Sequence, residues 1–330
     1  MKPTAESRFL ITGGMGFIGS AIARRLLREG ARQVILFGPP KENFSVSLEG
    51  DPIREDDRLQ ILVGDIRDKD AVCEAIAGCD YVFHEAGLRV TLCAKEPRLA
   101  HEIMVDGTFN VAMACVENKV KKLILPSSAV VYGEPAHLPL DENHPLQDTS
   151  IYGVCKIENE HLMKSLRQQY RLDYVVLRYF NSYGPGMNIL GPEREVLVCW
   201  LDRLDAGLPP LIFGDGQQTL DWVYIDDVVE ANWRAVSSTV SGEVFNVCTG
   251  WESSLLEALN LLLSIRGSHL KPEFCEKRAV AHVSRRVGST AKAARQLGFS
   301  ARVTLEKGLT ELVAWRDRVL AEKRKARIAE

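Results

Sequence analysis

Residues 8–19 read RFLITGGMGFIG, a short apolar run that passes directly into glycines at positions 13, 16 and 19. The amphipathic stretch SAIARRLLREG follows at residues 20–30 and ends in glycine, as helices often do. Glycines at this spacing permit a tight turn, because a Cβ there would keep a pyrophosphate away from the backbone N–H groups. A strand, a glycine loop and a helix in this order predict a dinucleotide-binding site. The expected contacts are Gly13, Gly16, Phe17, Ile18 and Gly19.

Apolar, strand-like runs alternate with helix-like stretches through the first half of the chain. Such runs are RQVILFG at 32–38, LQILVGD at 59–65 and DYVFHEAG at 80–87. Continuous apolar strands are typical of parallel sheets that are covered on both faces. The alternation therefore predicts an α/β protein with a Rossmann-type, doubly wound parallel sheet.

The pattern becomes less regular after about residue 180, where Gly, Pro and aromatic residues interleave. We expect residues 1–180 to form an NAD(P)-binding Rossmann domain that also contains the catalytic residues. Residues 181–330 are expected to form mostly a smaller α/β lobe that binds the substrate, with some segments crossing back to the first domain. Such a lobe would close a cleft against the carboxyl ends of the parallel strands.

The bulk composition is that of an ordinary globular protein with nearly balanced charge. Apolar residues make up 46% of the chain, charged residues 26%, and the formal net charge is −3. This balance does not favour nucleic-acid binding, and no apolar run approaches membrane-spanning length. The eight cysteines lack the spacing of metal ligands and are typical of free thiols in a reducing compartment. We therefore expect a cytoplasmic protein with no metal site and no nucleic-acid or membrane partner.

The second strand lacks the acidic residue that usually accepts hydrogen bonds from the adenosine ribose. It ends at Phe37 and Gly38, and Lys41 follows close by. Without the carboxylate there is less repulsion against a ribose 2′-phosphate, which leaves NADP open as the cofactor. We favour NAD, held by its pyrophosphate and adenine contacts. Asp65 and Ile66, after the third strand, are expected to lie at the adenine.

Tyr152 and Lys156 lie four residues apart in YGVCK, on one face of a predicted helix. A phenol with a pKa of about 10 is a poor base at neutral pH, but a nearby ammonium group favours the phenolate. Ser127 and Ser128 end the predicted strand of PSSAVVYG and offer a hydroxyl to the same substrate oxygen. The glycine loop, the serines and the Tyr-x-x-x-Lys pair together indicate hydride-transfer chemistry.

With these motifs in place, the chain resembles the nucleotide-sugar epimerase/dehydratase family of extended short-chain dehydrogenases/reductases, and is similar to its UDP-glucose 4-epimerase-like members. The similarity spans nearly the whole length. The stretches are TGGMGFIG, GDIRD, VFHEAG, PSSAVVYGE, YGVCK, LRYFNSYGPG, FGDGQQTLDWVYIDDVV and STAKAARQLGF. The resemblance implies NAD or NADP in the Rossmann domain and an NDP-sugar, often a UDP-sugar, in the C-terminal lobe.

The resemblance also implies roles for individual residues. Ser128 matches the catalytic Ser/Thr, Tyr152 the catalytic base, and Lys156 its partner, which also contacts the nicotinamide ribose. Further cofactor contacts are implied at Ala86, Gly87 and Tyr179. Substrate contacts are implied at Asn181, Phe213 and Arg278. Family members also suggest a homodimer that packs two helices from each subunit, one of them bearing Tyr152.

The residues after Ser128 narrow the expected reaction. Members that act as 4,6-dehydratases place an Asp–Glu pair there, whereas this chain has Ala129 and Val130, which cannot hold a proton. The resemblance therefore implies an NDP-sugar 4-epimerase that works through a 4-keto intermediate. The alternatives are an NAD(P)H-dependent NDP-4-ketosugar reductase, an NDP-uronic acid oxidising decarboxylase and a non-catalytic dinucleotide sensor.

Three positions depart from the family pattern. Leu220 stands where an Arg usually contacts the diphosphate, Ser289 where an Asp is common, and Met104 where an Asn is common. Loss of one arginine weakens the anchoring of two phosphate charges, since charge-assisted bidentate contacts are strong. The basic residues offered in its place are Arg178, Arg285 and Arg286.

Overall fold

The computed structural model describes residues 3–40, 51–190, 194–276 and 283–329. The strands are β1 (Arg8–Thr12), β2 (Gln33–Gly38), β3 (Leu59–Val63), β4 (Tyr81–His84), β5 (Lys122–Ser128), β6 (Tyr174–Tyr179), β7 (Asn181–Tyr183), β8 (Leu211–Phe213), β9 (Thr219–Leu220), β10 (Trp222–Tyr224), β11 (Glu243–Val247), β12 (Ser253–Ser254), β13 (Glu273–Cys275) and β14 (Arg285–Arg286). The helices are α1 (Phe17–Arg28), α2 (Lys69–Ile76), α3 (Val90–Lys95), α4 (Pro97–His101), α5 (Gly107–Glu117), α6 (Ile151–Tyr170), α7 (Val196–Asp205), α8 (Ile225–Ser237), α9 (Leu255–Arg266), α10 (Ala291–Leu297) and α11 (Leu305–Ala329).

The central sheet has seven parallel strands in the order β11-β6-β5-β4-β1-β2-β3. Strands β4 and β6 are buried along their whole length, because helices cover both faces of the sheet. The strand order reverses between β1 and β4, and open α/β sheets bind ligands at the carboxyl ends beside such a point. The Rossmann-type fold predicted from the sequence is confirmed.

Strand β3 differs from the expectation of full coverage. It lies at the edge of the sheet, and the side chains of Ile61 and Val63 are 37% and 63% exposed. Its apolar sequence is that of a buried strand, yet an edge strand has a neighbouring strand on one side only.

Part of the chain beyond residue 180 returns to the large sheet. Strand β11 pairs with β6, and helix α8 packs against α1. The remaining short strands form separate small sheets, which are β10-β7, β12-β9-β14 and β13-β8. Across the described ranges, no helix combines the length and the apolar composition needed to cross a membrane.

Buried polar side chains join the carboxyl ends of the inner strands. The two ring nitrogens of His84, at the end of β4, lie 2.6 Å from Thr12 Oγ1 on β1 and 2.9 Å from Thr108 Oγ1 on α5. Burial lowers the pKa of His84 to about 3, so the ring is neutral and bridges two hydroxyls. These contacts fix the edge of the sheet from which the next residue, Glu85, projects.

Glu85 joins this edge to the far side of the sheet. The Tyr179 hydroxyl, at the end of β6, donates to Glu85 Oε1 at 2.9 Å and accepts from Asn232 Nδ2 of α8 at 2.8 Å. Burial raises the pKa of Glu85 to about 7, although the Tyr179 hydrogen bond and the charge of Lys156 oppose the shift. Glu85 therefore changes charge in the neutral range.

A carboxyl group with a raised pKa makes the folded state lose stability as pH increases. The unfolded chain releases the Glu85 proton above about pH 4.5, whereas the folded chain keeps it to about pH 7. When the pH is raised from 5 to 8, the free energy of unfolding of the wild type should fall by about 1–3 kcal/mol more than that of Glu85→Gln. Urea unfolding of nucleotide-free protein at both pH values measures the difference. Glu74→Gln, on the exposed face of α2, is the matched control and should show no such difference. If Glu85→Gln and Glu74→Gln showed the same change in stability with pH, the raised pKa of Glu85 would be contradicted.

Candidate active site

Two adjoining cavities lie at the carboxyl edge of the sheet, with volumes of about 560 Å³ and about 280 Å³. Both are lined by Gly13, Gly16, Glu85 and Gly87, so together they form one cleft beside the glycine loop. Among the described residues, no group of His, Cys, Asp or Glu side chains is arranged to hold a metal ion.

The glycine loop is packed too tightly to accept side chains. A Cβ on Gly13, whose φ is +64°, would lie 2.7 Å from the backbone nitrogen of Ala86, and one on Gly19 would lie 2.5 Å from the Gly13 carbonyl oxygen. Helix α1 begins after Gly16, and no side chain caps its first turn. A helix N-terminus of this kind suits a pyrophosphate. The described residues therefore fit a dinucleotide cofactor.

Every residue predicted to contact the cofactor lines this cleft. Gly13, Gly16 and Gly87 line both cavities, and the remaining residues divide between them. Those in the larger cavity are Phe17, Ile18, Gly19, Tyr152, Lys156 and Tyr179. Those in the smaller cavity are Asp65, Ile66 and Ala86.

The end of β2 presents no side chain to the smaller cavity. Phe37 is buried in the core with its ring against Gly64, and Gly38 is the residue that lines the cavity. Asp65, also in this cavity, pairs with Arg67 at 2.6 Å, and the guanidinium lowers the pKa of the carboxyl. The Asp65 carboxylate is thus already paired. Lys41, named above as a possible partner for a 2′-phosphate, lies outside the described residues.

Ser128, Tyr152 and Lys156 line the larger cavity together. Ser128 is the last residue of β5, and Tyr152 lies in the first turn of α6, which is capped by the Ser150 hydroxyl accepting from the Gly153 amide at 3.1 Å. Lys156 Nζ donates to the Pro126 carbonyl of β5 at 2.9 Å and lies 5.8 Å from the centroid of the Tyr152 ring. The helix and the strand thus bring the three side chains to one wall of the cleft.

The electrostatics at Tyr152 differ from the simple expectation of a lysine-activated phenol. Burial raises the pKa of Tyr152 to about 12, while a hydrogen bond with Ser128 and the positive charge of Arg286 oppose the shift. Burial also lowers the pKa of Lys156, against the negative charge of Glu85. The phenol therefore keeps its proton at neutral pH in this structure, and further positive charge in the cleft is needed before it can act as a base.

The positions after Ser128 contain no acid. Ala129 is buried and Val130 is half-buried in a single 3₁₀ turn that follows β5. The protein thus lacks, at this point, a side chain that could protonate or deprotonate a substrate.

The residues predicted to bind substrate are not brought together in the same way. Asn181 is the first residue of β7, and its backbone N–H donates to the backbone carbonyl of Asp221 at 3.0 Å. Phe213 is half-buried at the end of β8. The next residue, Gly214, lines a separate cavity of about 420 Å³. Arg278 lies outside the described residues.

Sequence reasoning missed several residues of the larger cavity. They include Glu85, Leu88, Arg89, Val90, Asn188 and Glu195. Glu85 was visible in the VFHEAG motif, but its partner Tyr179 is 94 residues away in the sequence. Arg89 and Glu195 form an ion pair at 3.3 Å, and no local pattern in the sequence indicates this pairing.

Comparison with known proteins places this geometry in a family. Residues 9–248 match the model of the NAD dependent epimerase/dehydratase family. A putative UDP-glucose 4-epimerase of Methanocaldococcus jannaschii is 32% identical over 313 residues, covering 93% of this chain and 97% of the relative.

Two solved structures are similar over most of their length. The UDP-glucose 4-epimerase of Thermotoga maritima with UDP-glucose has a TM-score of 0.88 at 30% identity, covering 95% of this chain and 99% of that one. The UDP-glucuronic acid 4-epimerase of Bacillus cereus, in complex with UDP-glucuronic acid and NAD, has a TM-score of 0.86 at 27% identity, covering 94% and 99%. The chain therefore belongs to the NAD dependent epimerase/dehydratase family, within the extended short-chain dehydrogenases/reductases.

Proposed function

We propose that this protein is an NDP-sugar 4-epimerase, with UDP as the nucleotide, that acts through a 4-keto intermediate. The observation that supports the proposal is the grouping of Ser128, Tyr152 and Lys156 on one wall of the cleft beside the glycine loop. Ala129 and Val130 argue against dehydration, because neither supplies the acid or base needed to lose water. Retention of the three polar side chains argues against a purely sensory role.

A bound nicotinamide would supply the hydride acceptor and donor for C4 of the sugar. Tyr152 would remove the proton of the 4-hydroxyl, while Ser128 would hydrogen-bond the same oxygen. Burial raises the pKa of Tyr152, so the phenol would act as a base only with further positive charge in the cleft to lower that pKa. After the 4-keto sugar turns about its diphosphate linkage, Tyr152 would return the proton. Lys156, fixed by the Pro126 carbonyl, would orient the ribose side of the cofactor.

We also infer the arrangement around this reaction. Residues 1–180 would bind the cofactor and provide catalysis, and residues 181–330 would hold most of the substrate. We propose a homodimer whose interface is formed by α5 and α6. On these helices the apolar residues Phe109, Ile151 and Val154 are each 41–46% exposed. A cytoplasmic location is proposed because none of the eight cysteines, all of which lie in the described ranges, forms a disulfide, and five are buried.

The two structural relatives are named for a neutral and an acidic hexose, UDP-glucose and UDP-glucuronic acid. A second candidate function, an NADPH-dependent 4-ketosugar reductase, is favoured by one observation. Gly38, the last residue of β2, presents no carboxylate to the smaller cavity. An epimerase regenerates its cofactor in each cycle, whereas a reductase consumes it.

Turnover without added cofactor separates the two functions. We expect the purified protein to interconvert C4 epimers within a panel of UDP-, GDP- and dTDP-sugars, with no net change in nicotinamide absorbance. Tyr152→Phe should lose at least about a thousandfold in kcat and keep its bound cofactor, because the proton transfer is removed and the fold is not. Product NMR measures the epimers and absorbance of the released nucleotide measures the cofactor. Strict dependence on added NADPH would favour the reductase, and full activity of Tyr152→Phe would remove Tyr152 from the mechanism.

The choice between NAD and NADP can be tested at Gly38. A Cβ there would lie 3.0 Å from the flexible end of Met15, so a side chain is tolerated. Gly38→Asp should raise the preference for NAD over NADP by about tenfold, since a carboxylate repels the 2′-phosphate. Calorimetric Kd values for both nucleotides, on nucleotide-free protein, give the ratio. Gly38→Asn is the uncharged control of equal size, and an equal ratio in the Asp and Asn variants would rule out the electrostatic explanation.

A further inference from the structure

Glu85 is a carboxylic acid of the cleft that the proposed reaction does not use. It follows β4 directly and lines both cavities, together with Gly13 and Gly16 of the glycine loop. Across the described ranges its carboxyl group takes part in one hydrogen bond, from Tyr179, and in no ion pair. An acid beside a loop that suits a pyrophosphate repels that group, so its position is favourable only if the ligand also brings a positive charge.

The backbone of Glu85 is fixed against the glycine loop. Its N–H donates to the Thr12 carbonyl at 3.0 Å, and the next N–H, of Ala86, donates to Thr12 Oγ1 at 3.3 Å. A Cβ on Gly13 would lie 2.8 Å from the carbonyl carbon of Glu85, so the two segments are in direct contact. Glu85 therefore keeps a set position relative to the loop.

The carboxyl group of Glu85 is fixed from the opposite side of the sheet edge. Tyr179 donates to Oε1 at 2.9 Å and is itself held by Asn232 Nδ2 at 2.8 Å. Oε2 accepts no hydrogen bond from the described residues. One oxygen thus orients the carboxyl group, and the other is available to a ligand in the cleft.

The groups that surround the carboxyl carry no charge that would neutralise it at close range. Burial lowers the pKa of His84, on β4, to about 3 and raises the pKa of Tyr179, on β6, well above its usual range. Both rings are therefore neutral at neutral pH, and the amide of Asn232 on α8 does not titrate.

The other charged side chains that line the larger cavity are already engaged. Arg89 and Glu195 pair with each other at 3.3 Å. Lys156 Nζ, on α6, donates to the Pro126 carbonyl at 2.9 Å, and its charge attracts Glu85 without an ion pair between them. When Glu85 is ionised, the cleft therefore keeps a negative charge that a ligand can meet.

The catalytic wall indicates which half of a dinucleotide would face this carboxylate. Ser128, Tyr152 and Lys156 line the larger cavity, and hydride transfer requires the nicotinamide to lie beside them. Glu85 lines the same cavity. An oxidised nicotinamide ring carries one positive charge and a reduced ring carries none. A carboxylate at this place attracts only the oxidised ring, and partial burial strengthens the attraction.

We propose that the Glu85 carboxylate stabilises the oxidised, positively charged nicotinamide over the reduced one. This inference rests on the proposed function and adds a residue that favours the return of hydride. In the first half-reaction the C4–H bond breaks, hydride leaves with its electron pair for the ring, C4 becomes a ketone, and Tyr152 takes the 4-hydroxyl proton. The return of hydride restores the charge of the ring, which Glu85 favours. The same preference disfavours a reductase, because a reductase must bind the reduced nucleotide well.

Nucleotide binding to the full chain, freed of its nucleotide, tests the proposal without any sugar. Calorimetric Kd values for NAD⁺ and NADH are measured at about pH 8, where Glu85, with its pKa raised to about 7, is largely ionised. Every variant also carries Tyr152→Phe, so that the phenol adds no negative charge. Glu85→Gln in this background should lower the ratio of the Kd for NADH to the Kd for NAD⁺ by about tenfold, because glutamine removes the charge and still accepts from Tyr179.

The ratio of the two Kd values reports the reduction potential of the bound nicotinamide, which a purely structural role of Glu85 would not change. Glu74→Gln, which removes a charge from the exposed face of α2, is the control and should keep the ratio of Tyr152→Phe alone. Thermal unfolding checks that each variant is folded. An equal change of both Kd values in Glu85→Gln, or a rise of the ratio, would overturn the proposal.

Failure of the proposed function has a different signature. The expected fall of the ratio, in a protein whose wild type does not interconvert C4 epimers, would support the role of Glu85 and contradict the epimerase. Epimerisation by the wild type, with the same ratio in Glu85→Gln and its control, would support the epimerase and overturn the role of Glu85.

Discussion

The hydrogen bond from Lys156 Nζ to the Pro126 carbonyl fixes helix α6 against the end of strand β5. Ser128 is two residues beyond that carbonyl, and Tyr152 is one helical turn before the lysine. This hydrogen bond and the one from Ser127 Oγ of β5 to Glu160 Oε1 of α6, at 2.6 Å, together set the distance between the Ser128 hydroxyl and the Tyr152 phenol. The parallel sheet supplies the rest, because β1, β4, β5 and β6 all end at the same edge and deliver the glycine loop, Glu85, Ser128 and Tyr179 to one cleft.

The chemistry of this cleft depends on the opposition between burial and charge. Burial holds the proton on Tyr152 and raises the pKa of Glu85 into the neutral range. Lys156 and Arg286 act in the other direction on these groups. A site of this kind is responsive, because one charge brought by a ligand shifts the protonation of a buried phenol more than it would in water. A cleft that binds a charged cofactor can thus use binding to prepare the proton transfer.

Local patterns carried most of the prediction from sequence. The spacing of Gly13, Gly16 and Gly19 and the helical spacing of Tyr152 and Lys156 are short-range features, and they indicated the fold and the hydride chemistry. The relation between Leu220 and Arg286 is different, since it depends on the pairing of β9 with β14, two strands that lie far apart in the sequence. A departure that looked like a lost anchor in the sequence is, in space, adjacent to a buried guanidinium. The solvent exposure of a strand could not be predicted from its own sequence either. Strand β3 has the sequence of a covered strand, but its edge position leaves Val63 in solvent.

In the proposed reaction Tyr152 would take the proton of the 4-hydroxyl, and a bound nicotinamide would take the hydride of C4 and return it to the same carbon. The most direct measurement uses an NDP-sugar carrying deuterium at C4, with the product followed by NMR in ordinary water. The account predicts that the epimer keeps its deuterium at C4 and that no reduced nucleotide accumulates. Loss of the label to solvent, or stoichiometric formation of reduced nucleotide, would contradict it.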